Sequence, residues 1–378
     1  MKIIYLKPLS GYATTLRSDT LWGMLCWGIR HLWGETELDN FLDACIAGKP
    51  PFVISSTFPY KYPFDMATQQ YRQERMPYFP NPLLFPGGHD DDGHKALKNA
   101  RLRKDYKKKM ALVNRDDFAD ILEGKLTADT LRKRLRDIAE EEEVLKEEAK
   151  RTARIKKDRV PSQAEMDQTA PRLEDFSMTH NTIDRLRGGT LSLPVAGSDE
   201  PAGQLFHSPE NYWTDHYADP NQEPNTGLFF LADGSDLRLL EPVLRLFRHW
   251  GFGADRTSGK GFFDFDIENF QLPQPADANA MLNLSLFRPT NGQLVELDKL
   301  ATISKAFQYQ IEIREGRTGH HGAHLPKQPY RYFAEGSVFP FLPALTGRHL
   351  GELIEQKITA AHRVFDNGFG FMLPLKWL

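Results

Sequence analysis

Two strand–helix–strand patterns, separated by residues 60–204, limit the folds that this chain can adopt. In the first pattern, residues 3–6 are apolar and residues 52–58 are rich in β-branched and aromatic side chains, which favours strands. In the second, residues 227–232 are apolar, and residues 263–267 alternate between apolar and acidic side chains as in a half-buried strand. Each pair of strands encloses an amphipathic helix.

The two enclosed helices have recognisable ends. Ser18 is a candidate N-cap of the first helix, which Gly34 ends, and Ser235 is a candidate N-cap of the second, which runs up to Gly251. The order therefore predicts an α+β fold in which a ferredoxin-like βαβ–βαβ unit is split by a long insertion. The apolar stripes are Leu21, Leu25, Ile29 and Leu32 in the first helix, and Leu237, Leu240, Leu244 and Phe247 in the second.

Residues 251–261, Gly-Phe-Gly-Ala-Asp-Arg-Thr-Ser-Gly-Lys-Gly, join the second helix to the following strand. Glycines allow a close approach of backbone N–H groups to an anion, and the cations and hydroxyls can complete a phosphate cradle. The alternative is a helix C-cap followed by a tight turn. A P-loop and a dinucleotide fingerprint are excluded because both need a strand before the loop and a helix after it. The candidate phosphate contacts are Gly251, Gly253, Arg256, Thr257, Ser258, Gly259, Lys260 and Gly261.

The insertion has a different composition. Prolines alternate with aromatic residues over residues 60–86, which favours extended, loop-like backbone, and residues 95–109 are strongly basic. Asn114 and Asp117 predict the start of a short helix that ends at Gly124. Residues 127–172 are a charged helical arm, which we interpret as a solvated projection; a partner-binding arm is the alternative.

Composition limits the class of protein. The chain has 378 residues, 40% of them hydrophobic, which is enough for two cores, and a net charge of −3, so any polyanion contact must come from local patches. Two cysteines, Cys26 and Cys45, give neither a disulfide framework nor a thiolate metal cluster and favour a reducing cytoplasm. We expect no membrane segment and a soluble protein, because no apolar run is long enough to span a bilayer.

The C-terminal part repeats the pattern faintly. Strands are predicted at residues 282–287 and 307–313, a helix at 297–306, and a hairpin or a bent strand at 364–375. The chain is thus expected to divide into an N-terminal domain, residues 1–270, and a C-terminal domain, residues 271–378. Three histidines within residues 316–324 could ligate zinc, but a polar loop is the preferred interpretation, because no cysteine or carboxylate partners accompany them.

Several short motifs, in this order, resemble a known family. They are residues 18–27 (SDTLWGMLCW), 55–60 (SSTFPY), 114–118 (NRDDF), 180–185 (HNTIDR), residues 251–261, which we call the glycine loop, and 369–371 (FGF). The chain resembles the family of fourth Csm subunits of type III-A CRISPR effector complexes, which belongs to the RAMP superfamily. The resemblance implies tandem ferredoxin-like (RRM-like) domains, and only the long charged arm departs from the family pattern.

The resemblance also implies a function. Such a subunit binds the 5′ handle of crRNA, contacts the large polymerase- and HD-type subunit and the backbone RAMP subunit, and works without catalysis or a cofactor in the prokaryotic cytoplasm. Arg17 and Ser18 at a helix N-terminus offer a second anion site. Residues 180–187, followed by two glycines, resemble a thumb that contacts unpaired bases. The alternative is an internally satisfied turn in which an arginine pairs with Asp184 and Ile183 is part of the core. The thumb candidates are His180, Asn181, Asp184, Arg185 and Arg187.

Two rival functions remain open at this stage. A pre-crRNA endoribonuclease of the RAMP type would use His180 or His31 in acid–base catalysis, but the sequence pairs neither with a second catalytic group. The equivalent handle-binding subunit of a type III-B (Cmr) complex would have the same role with different partners.

Overall fold

The computed structural model describes residues 1–82, 111–127, 130, 133, 162–184, 186–193, 202–215, 225–301, 306–318, 325–341, 350–358 and 363–377. The basic residues 95–109, most of the charged arm, Arg185 and the three histidines of residues 316–324 lie outside this part of the chain. The interpretations of those segments therefore stay predictions.

The helices and strands are bounded as follows. The helices are α1 (Ser18–Trp33), α2 (Glu35–Ile46), α3 (Arg115–Leu122), α4 (Gln163–Gln168), α5 (Leu240–Trp250) and α6 (Asn291–Ala301). The strands are β1 (Lys2–Pro8), β2 (Phe52–Ile54), β3 (Phe58–Lys61), β4 (Phe64–Asp65), β5 (Gln70–Tyr71), β6 (Met76–Pro80), β7 (Leu112–Asn114), β8 (Arg172–Asn181), β9 (Ile183–Asp184), β10 (Gly189–Thr190), β11 (Ser192–Leu193), β12 (Ala202–Gly203), β13 (Leu205–Thr214), β14 (Thr226–Gly234), β15 (Phe263–Asn269), β16 (Ala280–Asn283), β17 (Ile311–Arg314), β18 (Tyr330–Phe333), β19 (Val338–Pro340), β20 (Leu353–Gln356), β21 (Val364–Asn367) and β22 (Met372–Leu375).

The principal sheet has the strand order β15-β1-β14-β3-β6-β7, and β2 also pairs with β14. Neighbouring strands are antiparallel, with Ile4 of β1 opposite Phe230 on one side and Ile267 on the other. Helices α1 and α5 cover one face of this sheet. Gly28 allows their close approach, because a Cβ there would lie 2.3 Å from a methyl carbon of Val243.

The opposite face of the principal sheet is also buried. Alternate residues of β1 point to the two faces, so that Ile4 packs under the helices whereas Tyr5 joins a second apolar cluster. This second cluster includes α3 and the three-stranded sheet β19-β16-β22. The rings of Phe79 and Phe118 stack within it at 4.3 Å. The central sheet is therefore enclosed between two apolar layers.

Three local predictions need correction. Arg17, not Ser18, occupies the N-cap position of α1, because the Ser18 hydroxyl instead accepts a hydrogen bond from the N–H of Leu286 at 2.9 Å. Helix α5 begins at Leu240, five residues after the predicted cap Ser235. The proline-rich residues 76–80 form a strand of the principal sheet instead of a loop.

Other predictions near the insertion have mixed outcomes. The predicted strand 52–58 is interrupted at residues 55–57, where the N–H of Ser55 donates to β14 but that of Ser56 donates to the carbonyl of Leu284 in the C-terminal part. The Asn114 cap is confirmed, since its side chain accepts from the N–H of Asp117 and α3 follows at once.

The C-terminal predictions are displaced. Helix α6 begins at Asn291, earlier than predicted, because Thr290 and Gln293 exchange the reciprocal hydrogen bonds of a capping box. The predicted strand 282–287 ends at Asn283, and the one at 307–313 begins at Ile311. The last segment is bent: β21 pairs with β20 whereas β22 pairs with β16.

The cysteine thiols remain free in this fold. Burial raises the pKa of Cys45 to about 12 and raises that of Cys26 as well, so neither thiol is readily ionised. In the part of the chain that is described, no three metal-ligating side chains come together. None of the helices described above is both long and apolar enough to cross a membrane.

Candidate nucleic-acid interface

The glycine loop begins as a helix cap. Gly251 ends α5 with a φ of 71°, and its N–H donates to the carbonyl of Phe247 at 2.7 Å. The loop closes where the N–H of Phe252 donates to the carbonyl of Gly261 at 2.9 Å. Any Cβ at Gly261 would lie 2.1 Å from the oxygen of Phe252, so only glycine fits. The C-cap interpretation is thus confirmed at Gly251, and the two ends of the loop are joined to each other.

The middle of the loop is exposed. The carbonyl of Asp255 accepts hydrogen bonds from the N–H of Ser258 at 3.0 Å and from its hydroxyl at 2.8 Å, which folds a single 3-10 turn. Thr257 and Gly259 are exposed, and Gly253 is half-buried with a φ of 75°. The N–H groups of Ser258 and Gly259 donate within the turn, whereas the side chain of Thr257 is exposed.

Arg256 and Lys260, which the sequence suggests as a pair, have different environments. Among the described residues, no acidic oxygen lies within 4 Å of the half-buried Arg256 guanidinium. Lys260 is only 5% exposed, and its Nζ donates to the hydroxyl of Ser208 at 2.7 Å and approaches the carbonyl of Pro209 at 3.4 Å. Arg256 is therefore available to an anion, whereas Lys260 anchors the loop to strand β13.

Strands β8 and β13 form a long antiparallel hairpin, in register from Arg172 opposite Thr214 to Asn181 opposite Leu205. Most of its side chains are exposed, including large apolar ones on both faces. Such exposure of apolar groups on a two-stranded ribbon is typical of a surface that contacts a partner. The exposed apolar residues are Leu173, Phe176, Met178, Leu205, Phe206 and Tyr212.

Ser208 joins the two motifs that the sequence places far apart. His180, near the end of β8, lies with Nε2 2.9 Å from the Ser208 hydroxyl, which also accepts the hydrogen bond from Lys260. The His180 ring stacks on Phe206 with centroids 5.2 Å apart. The end of β8 and the glycine loop thus meet at Ser208.

The thumb segment continues past His180 into a satisfied turn. Asn181 is exposed at the end of β8. The carboxylate of Asp184 accepts from the N–H of Leu186 at 2.9 Å, and its carbonyl accepts from the N–H of Gly188 at 2.8 Å. Arg187 is 88% exposed, with Nε 3.9 Å from the Asp184 carboxylate. The turn is therefore satisfied by its own hydrogen bonds, but Ile183, predicted to be buried in that alternative, is 64% exposed, and Arg187 remains accessible.

Arg17 and Ser18 are held by the C-terminal part of the chain. The Arg17 guanidinium forms ion pairs with Glu312 and Glu335, and Ser18 is fully buried. Burial opposes the charge of Arg17, but the two carboxylates leave its pKa above the usual value. The anion site predicted here is consequently filled by side chains of the protein itself, which removes both residues from the candidate interface.

Comparisons with known proteins agree with this architecture. No protein-family model and no curated protein matches the chain. It is similar to a chain of a Csm3–Csm4 subcomplex of the type III-A CRISPR-Cas interference complex, with a TM-score of 0.54, 14% identity and complete coverage of both chains. It is also similar to a chain of a Csm1–Csm4 cassette in complex with pppApA, with a TM-score of 0.50, 15% identity, and coverage of 99% of this chain and 97% of the other. Csm4 is the subunit that these two assemblies share.

The chain has the Csm4 fold. The structural comparison thus confirms the family resemblance at the level of fold.

Sequence reasoning missed one residue that positions the hairpin in this Csm4 fold. The buried Lys61 donates from Nζ to the carbonyls of Met166 and Thr169, both at 2.7 Å, and lies 3.4 Å from Asp215 Oδ1. These groups flank the start of β8 and the end of β13, so Lys61 fixes the base of the hairpin. Burial lowers the pKa of Lys61, which Asp215 partly offsets. The available signal was a lysine at the end of an otherwise apolar strand.

Proposed function

We propose that the chain is the Csm4 subunit of a type III-A interference complex and binds the 5′ handle of crRNA. The observation that carries this proposal is the Ser208 contact, which places the glycine loop beside the exposed hairpin. A single-stranded RNA end needs both a phosphate-binding element and apolar surfaces for unstacked bases. The two elements meet at one surface of this chain.

We further infer that the principal sheet belongs to a ferredoxin-like unit. In this unit β1 is the first strand, β2 or β3 the second, β14 the third and β15 the last. The observed order places β15 beside β1, and β14 between β1 and the second strand, as a βαββαβ unit requires. Residues 271–378, with α6 and the sheet β19-β16-β22, would form the second unit of a tandem pair. The division at about residue 270 stays part of this proposal.

The chemistry of the glycine loop suits phosphate. The Arg256 guanidinium can neutralise one phosphate, and the exposed hydroxyl of Thr257 can donate to its oxygens. Phosphate contacts position an RNA without reading its sequence. Base contacts are assigned to the hairpin face that carries His180, Phe206 and Met178, because alternate residues of paired strands share one face.

We assign no catalytic step to this subunit. Its proposed protein partners are the large polymerase- and HD-type subunit and the backbone RAMP subunit. This assignment is supported by the two similar assemblies, which are a Csm1–Csm4 cassette and a Csm3–Csm4 subcomplex. Catalysis would then belong to neighbouring subunits.

Binding of labelled RNA that begins with the repeat-derived handle tests the proposal. We expect Phe206→Ala to weaken binding about tenfold, because it removes one base-stacking surface. Leu205→Ala is the matched control, since Leu205 is also exposed but its side chain points to the opposite face of the hairpin. Equal binding of handle RNA and a scrambled RNA of the same length, unaffected by either change, would contradict the proposal.

An endoribonuclease remains the second candidate, because His180 does lie near a second polar group, Ser208, and through it near Lys260. Ser208 and Lys260 are however only 8% and 5% exposed, which leaves little access for RNA. Metal-independent cleavage of repeat RNA that is lost in His180→Ala would favour the enzyme. Co-purification with Cmr rather than Csm subunits would favour the type III-B equivalent.

A further inference from the structure

A cavity of about 630 Å³ lies beside the glycine loop, between helices α1 and α5 and the segment around strands β17 and β18. Its size falls within the range of sites that bind small organic molecules. One wall is aromatic and another carries the glycine loop. The residues that define these walls are Trp27, His31, Phe247, Trp250, Gly253 and Arg256.

The aromatic wall is partly open to solvent. The Trp250 ring, 40% exposed, lies edge-on to His31 at 4.9 Å and to Phe247 at 6.1 Å. The Trp27 ring lies 5.9 Å from His31 at an interplanar angle of 31°. An indole left exposed in a cavity has apolar area that a flat ligand can cover.

The charges around the cavity favour an anion at the glycine loop. Arg314 is neutralised by Asp19 at 3.0 Å, and Lys327 is paired with Asp366. Arg256 has no such acidic partner among the described residues. Arg256 therefore lies in the cavity wall next to the aromatic residues with no acidic partner among the residues that the structure describes.

We propose that this cavity binds one unpaired nucleotide, with its base against Trp250 and its phosphate at Arg256. Stacking on aromatic rings together with a neighbouring arginine is how unpaired bases are held. The nucleotide is either one residue of the bound RNA handle, in which case the inference rests on the proposed function, or a free nucleoside phosphate.

The first arm of the test measures binding of handle RNA to the full chain and to Trp250→Leu. If the handle supplies the nucleotide, Trp250→Leu weakens binding about tenfold. Trp33→Leu is the matched control, because Trp33 is 42% exposed at the end of α1 and does not line the cavity. Trp27→Phe, which keeps an aromatic ring, retains most of the binding.

An abasic scan of the handle identifies the nucleotide. At one position, removal of the base weakens binding to the wild-type chain but has no further effect on Trp250→Leu, since the same contact is already absent. A general folding defect of the variant would not produce this position-specific loss.

The second arm titrates AMP and ATP into the chain without RNA. Binding that is lost in Trp250→Leu, with handle binding unchanged, supports the nucleotide site and assigns it to a free ligand. The inference is overturned, while the proposed function stands, if the chain binds handle RNA but three results are negative. These are an unchanged affinity for handle RNA in Trp250→Leu, an unchanged affinity at every abasic position, and no binding of AMP or ATP. If the handle does not bind any variant, the proposed function fails, and the AMP and ATP titration alone decides the cavity.

Discussion

Replacing Arg256 by alanine should remove one electrostatic contact with RNA. Its guanidinium has no acidic partner among the described residues, so its charge is available to a phosphate. Each neutralised phosphate of a single strand contributes about 0.7 to the slope of log K against log salt concentration. At about 0.1 M salt, tenfold below a 1 M reference, that contribution corresponds to about fivefold in affinity, or about 1 kcal/mol.

Fluorescence anisotropy of labelled handle RNA between about 0.05 and 0.5 M salt measures this slope. Arg245→Ala is the matched control, because it removes the same charge from an arginine that already pairs with Glu241 at 2.6 Å. We expect the slope to decrease by about 0.7 in Arg256→Ala and to change little in Arg245→Ala. Parallel slopes for Arg256→Ala and wild type would refute the assignment of a phosphate to Arg256.

Three further predictions concern the framework of the site. Arg17→Ala should lower the free energy of unfolding by about 3 kcal/mol, measured by urea unfolding, because Glu335 is only 11% exposed and loses its partner; an unchanged midpoint contradicts this. Lys61→Met should accelerate amide hydrogen exchange in the β8–β13 hairpin but not in β1 or β14, because Asp215 and two backbone carbonyls lose the lysine that fixes the base of the hairpin. An equal change of the exchange rates in the hairpin, β1 and β14 contradicts this prediction. Burial raises the pKa of Tyr5 from 10.0 to about 12, so the contribution of the neutral Tyr5 to the free energy of unfolding is complete below pH 10 and is lost as the pH rises towards 12. Tyr5→Phe should make the decline of the free energy of unfolding between pH 10 and 12 shallower by at most about 1.4 kcal/mol per pH unit. An identical decline in wild type and variant argues against this.

Strands β1, β14 and β15 of the principal sheet could be predicted because periodicity reflects burial, whereas β6, in a proline-rich segment, could not. Residues 3–6 of strand β1 are apolar since both faces of the strand are covered there, and β15, at the edge of the sheet, alternates apolar and acidic residues. The helix N-cap at Asn114 could also be predicted from the sequence, because an N-cap depends on residues close together in the chain. Local rules therefore predicted this cap, although the caps predicted at Ser18 and Ser235 were wrong.

Contacts between distant segments were not predictable in this way. Lys260 and Arg256 look equivalent in the sequence, but only Lys260 lies against Ser208 of the hairpin. Arg17 looks available at a helix N-terminus, but it pairs with Glu312 and Glu335, which lie 295 and 318 residues further along the chain. The polar partner of a charged residue is decided by tertiary packing, which one-dimensional spacing does not contain.

The hairpin itself was missed for a related reason. Strands β8 and β13 are exposed on most of their length and lack the alternation that marks a half-buried strand. The residues 180–187 could be proposed as a contact segment from the family resemblance, but the ten-residue pairing with residues 205–214 that carries it could not.

The most direct test of the account is an electron cryomicroscopy structure of the chain assembled with Csm subunits and crRNA. The account predicts that the Arg256 guanidinium lies within hydrogen-bond distance, about 3 Å, of a phosphate oxygen of the 5′ handle, and that the hairpin face with Phe206 contacts an unstacked base. A structure in which the handle is ordered but neither the glycine loop nor the hairpin touches a nucleotide would contradict it.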